Sequence, residues 1–564
     1  MLRPRLVTSV AVLLAVATVP LLSQRGSRKP LSPAEIDAVT DLVRLEDTRQ
    51  FDEATLGRLV KSTHPEVRRR AVIAVGRIVN PAGAALLRPL QSDPDPEIVA
   101  TVAFAYGQLK DAESVPWLSF LITSKQVSVA REAVRSLGKI RSPEARTALA
   151  RYLTDAPVAA SASPVVGEAL LSLGRFTTRD DITPLVRWIG ARDAEIRWRA
   201  AWGLFRPAHP DAVPHLLKLS ADPSPDVRFW AVRGLVPDRV KESGLDAAKA
   251  SARLREAVRD TDRRVRTEAL RVLGNYDDDE SLRVVLEALE SNDSWMSVSA
   301  AESLTRFQSR GAVVVPRLVA AAGPARSVSL RITALTPLVA LAPDAALDVA
   351  NSLLGHTSLV ARTSAVQALQ KLGPAGRARL DALAADPATK SLVPQPGGNR
   401  GARPDPPKRP LSDYRRIVDR WIVTDYNGAK KPRAVLTTPR GEIELELYPG
   451  DAPLGVEYFI SVVESSAIVG TEFGRVVPNF VAQQRTIPTA VTLRDEVSSL
   501  GLTRGNLSWA SAGLDTGRPG YTLGSTPQPH NEGNFTPLGR VVRGMDVVDR
   551  LELGDAITGA KLIK

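Results

Sequence analysis

The chain has 564 residues, 44% of them apolar, 24% charged and 5% aromatic, with no cysteine. That length exceeds one ordinary core, and the missing thiol excludes disulfides, thiolate catalysis and Cys-ligated metals. The formal net charge of +12 comes from the part before residue 433, because residues 433–564 carry 12 Lys or Arg against 15 Asp or Glu and are acidic; no aromatic platform accompanies the basic part, so a nucleic-acid partner is not expected.

Arg3 and Arg5 precede an apolar stretch from Leu6 to Leu22, followed by Ser23-Gln24-Arg25. A charged start and an apolar centre form the pattern of a secretory signal. Ala15, Ala17 and Ser23 offer small residues for cleavage, and a stretch of about 17 residues is also at the lower limit for spanning a bilayer. Residues 1–24 therefore read as a signal peptide or an uncleaved N-terminal membrane anchor. Either reading predicts an extracytoplasmic location, periplasmic or secreted.

From residue 60 to 375 one pattern recurs. His64-Pro65-Glu66-Val67-Arg68, Asp95-Pro96-Glu97-Ile98, Asp193-Ala194-Glu195-Ile196-Arg197, Ser224-Pro225-Asp226-Val227-Arg228 and Asp262-Arg263-Arg264-Val265-Arg266 each open a helix. The apolar anchors are Val67, Ile98, Val129, Val165, Ile196, Val227, Val265, Met296, Leu330 and Val360, in steps of 30 to 38 residues. Four residues after each anchor stands Ala, except at Val102 and Ser364. Asp or Ser caps the free N–H groups, Pro fits the first turn, and an acidic residue complements the positive helix end. Gly76, Gly107, Gly138, Gly174 and Gly274 stand nine residues after their anchors, where a left-handed residue can end a helix. Such units cannot bury an apolar face alone and must stack. The longer steps predict extended loops near 141–164, 232–261 and 308–326.

The pattern resembles short HEAT repeats, with D-x-x-V-R-x-x-A in the second helix. The resemblance implies an all-α superhelix over residues 32–388 whose concave face binds a protein partner. A purely architectural spacer is the alternative. His64, His209, His215 and His356 have no ligand spacing and read as structural.

Residues 389–411 break the period. Val393-Pro394-Gln395-Pro396-Gly397-Gly398 through Pro404-Asp405-Pro406-Pro407 cannot form a helix or a paired strand and reads as a linker. Residues 412–432 form a connecting segment. Within it, a helix is predicted from Leu411 to Trp421, capped by Ser412, to seal the solenoid or pack on the next domain.

From Arg433 to the end the pattern is β. Ala434–Thr438, Pro439-Arg440-Gly441 and Glu442–Tyr448 predict a hairpin, Asp451–Val463 a helix with Ala452-Pro453 in its first turn, and Ile557–Ile563 a last strand. These residues resemble cyclophilins. Gly441–Pro449 with Ala452-Pro453 is similar to that family's opening hairpin and helix. Gly470-Thr471-Glu472-Phe473-Gly474-Arg475-Val476-Val477-Pro478-Asn479-Phe480-Val481-Ala482-Gln483 is similar to its central strand, Gly505–Ala510 to the next, and Pro529–Asp549 to its late loop, strand and helix. The resemblance implies a cyclophilin-like closed β-barrel with flanking helices over residues 433–564.

The family implies peptidyl-prolyl cis-trans isomerisation (rotamase activity) of proline-containing polypeptides, with no cofactor and no metal. Rotation breaks amide conjugation against a barrier of about 20 kcal/mol. The catalyst must therefore bind the twisted imide more tightly than the planar one. On the family pattern Arg475 is the catalytic guanidinium toward the prolyl nitrogen, Phe480 the pocket floor and Gln483 the holder of substrate backbone. Phe473 packs beside them, and Val481, Ala510, Thr522, Asn531 and His530 complete the substrate-binding set.

Departures cluster there. The family's His before the arginine is Gly474, its Gly-Gly after the glutamine is Gln484-Arg485, and its Met beside the pocket Phe is Val481. Its Gln-Phe-Phe run is Gly520-Tyr521-Thr522, and its pocket Leu is Asn531. His530 stands where the family has Trp or His. Replacing two apolar walls by Thr522 and Asn531 weakens the hydrophobic grip by roughly a few kcal/mol. The expected function is an extracytoplasmic folding factor with a protein-binding scaffold. The alternative is a non-catalytic adaptor whose C-terminal domain only binds peptide or protein.

Overall fold

A computed structural model describes residues 29–158, 163–393, 408–487, 493–517 and 519–563. The leader expected over residues 1–24 and the linker core, 394–407, lie outside the described residues.

All ten anchors fall in the first turns of helices that stack one on the next: Pro65–Ile78, Pro96–Leu109, Val127–Ile140, Pro164–Leu173, Ala194–Phe205, Pro225–Val232, Arg263–Leu273, Ser294–Ser303, Val328–Leu341 and Leu359–Leu369. Asp95, Asp193, Asp262 and Asp293 each accept a hydrogen bond from the backbone N–H two residues on, satisfying a donor that the helix leaves open. Ala71, Ala133, Ala169, Ala200, Ala231, Ala269, Ala300 and Ala334 are fully buried, so the repeated small residue is what the helix packing uses. The repeated arginine reaches the turn of the following unit: Arg68 pairs with Asp93 at 3.1 Å, Arg197 with Asp222 at 2.7 Å and Arg228 with Asp260 at 2.7 Å.

Two expectations about the repeats are corrected. Gly76, Gly107 and Gly138 lie inside helices, and the left-handed residues are Val79, Lys110 and Arg141, three positions later. The glycines serve close approach instead. A Cβ on Gly107 would stand 2.5 Å from Ser136 Oγ, and one on Gly274 2.5 Å from Ser303 Cβ. Gly174 and Gly274 do cap their helices, but in the right-handed conformation. The stretches expected as loops hold helices Pro143–Asp155, Ala247–Ala257 and Gly311–Ala321, whose Leu149, Leu254 and Leu318 are fully buried as the first helices of the following units.

The connecting helix spans Leu411–Ile417 and continues as a wider π-helical turn over Val418–Val423. Its cap is Pro410, extended at ψ 152°, and Ser412 lies inside the helix without capping it. It returns the chain to the first repeat. Tyr414 OH donates to Asp47 at 2.8 Å, and Trp421 Nε1 donates to Glu457 of the C-terminal domain at 2.6 Å.

That domain holds one antiparallel sheet of eight strands among the described residues: β1 Arg433–Thr438, β2 Gly441–Leu447, β3 Phe473–Val477, β4 Val481–Gln484, β5 Asn506–Trp509, β6 Tyr521–Gly524, β7 Pro537–Arg543 and β8 Gly559–Ile563. Their order is β3-β4-β6-β5-β7-β2-β1-β8. The sheet curls until its ends meet through backbone bonds between residues 470–473 and 554–557. The alternation in β2 explains its setting: Ile443, Leu445 and Leu447 are fully buried, while Glu444 and Glu446 face out to Arg433, Arg540 and Arg543. The flanking helix Pro453–Glu464 buries Val456 and Phe459 against the same core.

The stacked second helices curve around this domain. Contacts run from Arg49–Asp515 at 2.5 Å, through Arg77 Nε to the Val497 carbonyl at 2.9 Å and Arg175–Glu532 at 2.8 Å, to Arg485 Nη1–Thr363 Oγ1 at 3.2 Å. At the far end the Glu472 carboxylate accepts the backbone N–H groups of Leu359 and Val360 at 2.9 and 2.8 Å, capping a solenoid helix. The chain's own acidic domain thus lies against the inner face, where Arg49 and Arg175 pair with its carboxylates and Arg77 donates to its backbone carbonyls.

Candidate functional site

β3 and β4 are joined by a turn through Asn479, whose φ of +62° is a left-handed conformation that Asn tolerates. Phe473 pairs with Gln484 and Arg475 with Gln483, so a bulge at Gly474 inserts an extra residue in β3. The bulge separates two side chains that would otherwise share a face. Phe473 turns into the barrel core, 2% exposed, and Arg475 turns to the opposite side with Gln483. Phe473 therefore packs beneath the sheet beside these residues and offers no surface to a substrate.

Directly paired residues share a face. Arg475 pairs with Gln483, Gln483 with Thr522 and Thr522 with Ser508, forming a row across β3, β4, β6 and β5. Val481 and Ala510 lie two residues from Gln483 and Ser508 and share that face. Arg475 lies over the Phe480 ring, 5.3 Å from its centroid, and Phe480 stacks on His530 at 6.2 Å with 20° between the rings. Asn531 follows His530 in a short turn, its side-chain amide donating to Gln528 Oε1 at 2.9 Å.

Two of these groups have unused polar capacity. Among the described residues neither the Arg475 guanidinium nor the Gln483 amide makes a hydrogen bond or ion pair, although arginines elsewhere in the chain are widely paired. Arg475 reaches solvent, while desolvation by the surrounding chain lowers its pKa from the ordinary range and leaves it cationic. Thr522 is committed, its Oγ1 lying 2.9 Å from Ser508 Oγ. His530 is neutral at ordinary pH: burial, reinforced by Arg206, Arg233 and Arg175 of the solenoid, lowers its pKa to about 4.

The departures at Gly474 and Arg485 are one steric exchange. A Cβ on Gly474 would stand 2.6 Å from Arg485 Cγ, so the larger residue after the glutamine occupies the space that the smaller one before the arginine vacates. Sequence reasoning missed the residues that tie this region to the solenoid: Asn479, Glu472 and Arg485. Their partners lie more than 100 residues away, and no local pattern marks them.

Residues 433–562 match the family described as cyclophilin type peptidyl-prolyl cis-trans isomerase/CLD, and overlapping segments between 84 and 328 match HEAT repeats. A peptidyl-prolyl cis-trans isomerase of Helicobacter pylori (strain ATCC 700392 / 26695) is 33% identical over 150 residues, covering 25% of this chain and 92% of the relative. One from Synechococcus elongatus (strain ATCC 33912 / PCC 7942 / FACHB-805) is 30% identical over 139 residues, covering 23% and 96%. Peptidyl-prolyl cis-trans isomerase B of Bacillus subtilis (strain 168) is 34% identical over 124 residues, covering 21% and 87%.

Proposed function

The chain belongs, through its C-terminal domain, to the cyclophilin-type peptidyl-prolyl cis-trans isomerases, and we propose on that premise that it catalyses cis-trans exchange of X–Pro bonds in polypeptides held against the curved sheet. The carrying observation is the unpaired Arg475 over Phe480, in register with the unpaired Gln483. As the prolyl imide twists, its nitrogen gains a lone pair, and a cationic donor on that side stabilises the twisted form over the planar one. Gln483 holds the peptide backbone, and Phe480 and Ala510 offer the proline ring apolar surface over the buried Val481. His530, neutral and stacked on Phe480, fixes that ring and takes no proton.

The solenoid acts in this reading as a cradle that fixes the orientation of the site. A folding factor outside the cytoplasm is consistent with the charged and apolar pattern of residues 1–24 and with a reaction that needs no ATP. Among the described residues no helix is long and apolar enough to cross a membrane. Cell fractionation with protease protection tests the location.

A second reading, a peptide-binding module without catalysis, is favoured by one observation: Thr522 and Asn531 replace apolar walls and spend their polar groups inside the domain. Exchange NMR on an Ala-Pro peptide with the full chain separates the two. Exchange above background that disappears in Arg475→Ala supports the enzyme. Peptide binding without exchange would leave the module.

A further inference from the structure

We propose that the cavity between the Gly533 loop and the ends of the solenoid helices Pro96–Leu109, Val127–Ile140, Pro164–Leu173 and Ala194–Phe205 binds a phosphate-type oxyanion. The cavity has a volume of about 130 Å³ and is lined by Lys110, Lys139, Arg141, Arg175, Arg206 and His530, with Glu532 beside them. At ~30 Å³ per water it has room for about four waters, or one phosphate group.

The lining carries five cationic side chains against one carboxylate, Glu532. Arg135 pairs with Glu168 at 2.8 Å and Glu132 at 3.3 Å, and Arg175 pairs with Glu532 at 2.8 Å. Those three carboxylates match Arg135, Arg175 and Lys139. Lys110, Arg141 and Arg206 remain, and among the described residues none of them has an ion-pair partner. Basic residues at helix ends often bond the terminal carbonyls. Among the described residues these side chains make no such bond.

The second observation is an unpartnered buried cation. Lys139 is 9% exposed and among the described residues its Nζ makes no hydrogen bond, resting only 4.9 Å from the Phe104 ring centroid. Arg175 Nε, Arg206 Nε, Gln108 Nε2 and His530 Nδ1 are likewise buried without a partner. Four of these, Lys139 Nζ, Arg175 Nε, Arg206 Nε and Gln108 Nε2, are donors lacking an acceptor around one small cavity, which is costly unless an acceptor arrives, and a tetrahedral oxyanion supplies several at once. The cavity shares His530 with the peptide site, but the inference does not depend on catalysis there.

The test is calorimetric titration of the full chain with inorganic phosphate at ionic strength held by sodium chloride. Saturable binding and a rising melting temperature are expected. Lys139→Gln, and separately the exposed Arg141→Glu, should each weaken binding by about tenfold or more. Arg141→Glu leaves the packed interior untouched, so its result stands even if Lys139→Gln unfolds. A phosphoserine peptide that binds more tightly than phosphate assigns the anion to a polypeptide; weaker or equal binding assigns it to the free ion. No saturable phosphate binding at millimolar concentration, or binding unchanged in Arg141→Glu, overturns the proposal.

Discussion

The side-chain amide of Asn479 donates to the backbone carbonyl of Arg264, 2.9 Å away, across the boundary between sheet and solenoid. Asn479 is 2% exposed, sits at φ +62° and precedes Phe480, so the turn that presents the pocket floor is braced by a repeat helix. The solenoid is thereby part of the site's support.

Two substitutions at Asn479 separate bracing from backbone strain. Asn479→Gly keeps the left-handed turn and loses the bond, with an expected cost of about 1–3 kcal/mol. Asn479→Ala adds about 1–2 kcal/mol for a Cβ in that conformation. Chemical denaturation gives the order native, Gly, Ala; equal effects of the two variants would sink the strain argument.

Gly474→His places a side chain where Arg485 Cγ already lies and is expected to destabilise the chain by about 1–3 kcal/mol. Combining it with Arg485→Gly should recover most of the loss. A double-mutant cycle with no coupling would show that the two sites do not exchange space.

In the solenoid, Gly107→Ala sets a Cβ 2.5 Å from Ser136 Oγ and 3.0 Å from its Cα. It should lower stability by about 1–3 kcal/mol, since the backbone of the neighbouring helix must give way. Gly190→Ala has no neighbour within 4 Å and should stay within about 0.5 kcal/mol of the native chain. Thermal melting of both variants checks the contrast.

Glu496 accepts the N–H groups of Leu454 and Gly455 at 3.1 and 2.7 Å, yet burial raises its pKa from 4.5 to about 7. Between those values the native chain holds a proton that the unfolded chain has lost, so this group's contribution to stability falls as pH rises from 4.5 to 7. His530 acts oppositely, losing stability as pH falls from 6.5 toward 4. The difference between native protein and Glu496→Gln isolates the first effect. The variant should gain on the native chain by a few kcal/mol across that range, in denaturation at fixed ionic strength. A difference independent of pH would refute the assignment.

Much of the architecture was legible from single positions. The ten anchors, eight of them with alanine four residues on, marked ten of the stacked helices, because a helix buries the same positions in each stacked unit. The alternation in β2 and the turn at Arg440-Gly441 marked the hairpin. The glycine ends were misread, since local sequence cannot distinguish a glycine needed for left-handed φ from one needed for a neighbouring helix. The parity of Phe473 and Arg475 was not legible either: a bulge that reverses it at Gly474 has no local signature.

By itself, then, the sequence determined the repeat and the hairpin, set by periodicity and nearest neighbours along the chain, and its resemblance to cyclophilins implied the barrel and the set Arg475, Phe480 and Gln483. Only the tertiary structure decided that the acidic domain lies inside the basic solenoid, that His530 is held neutral by burial among arginines from other helices, and that unpaired cations gather beside it. Those properties depend on burial and on charges brought together from hundreds of residues apart, and no spacing in the sequence encodes their distance.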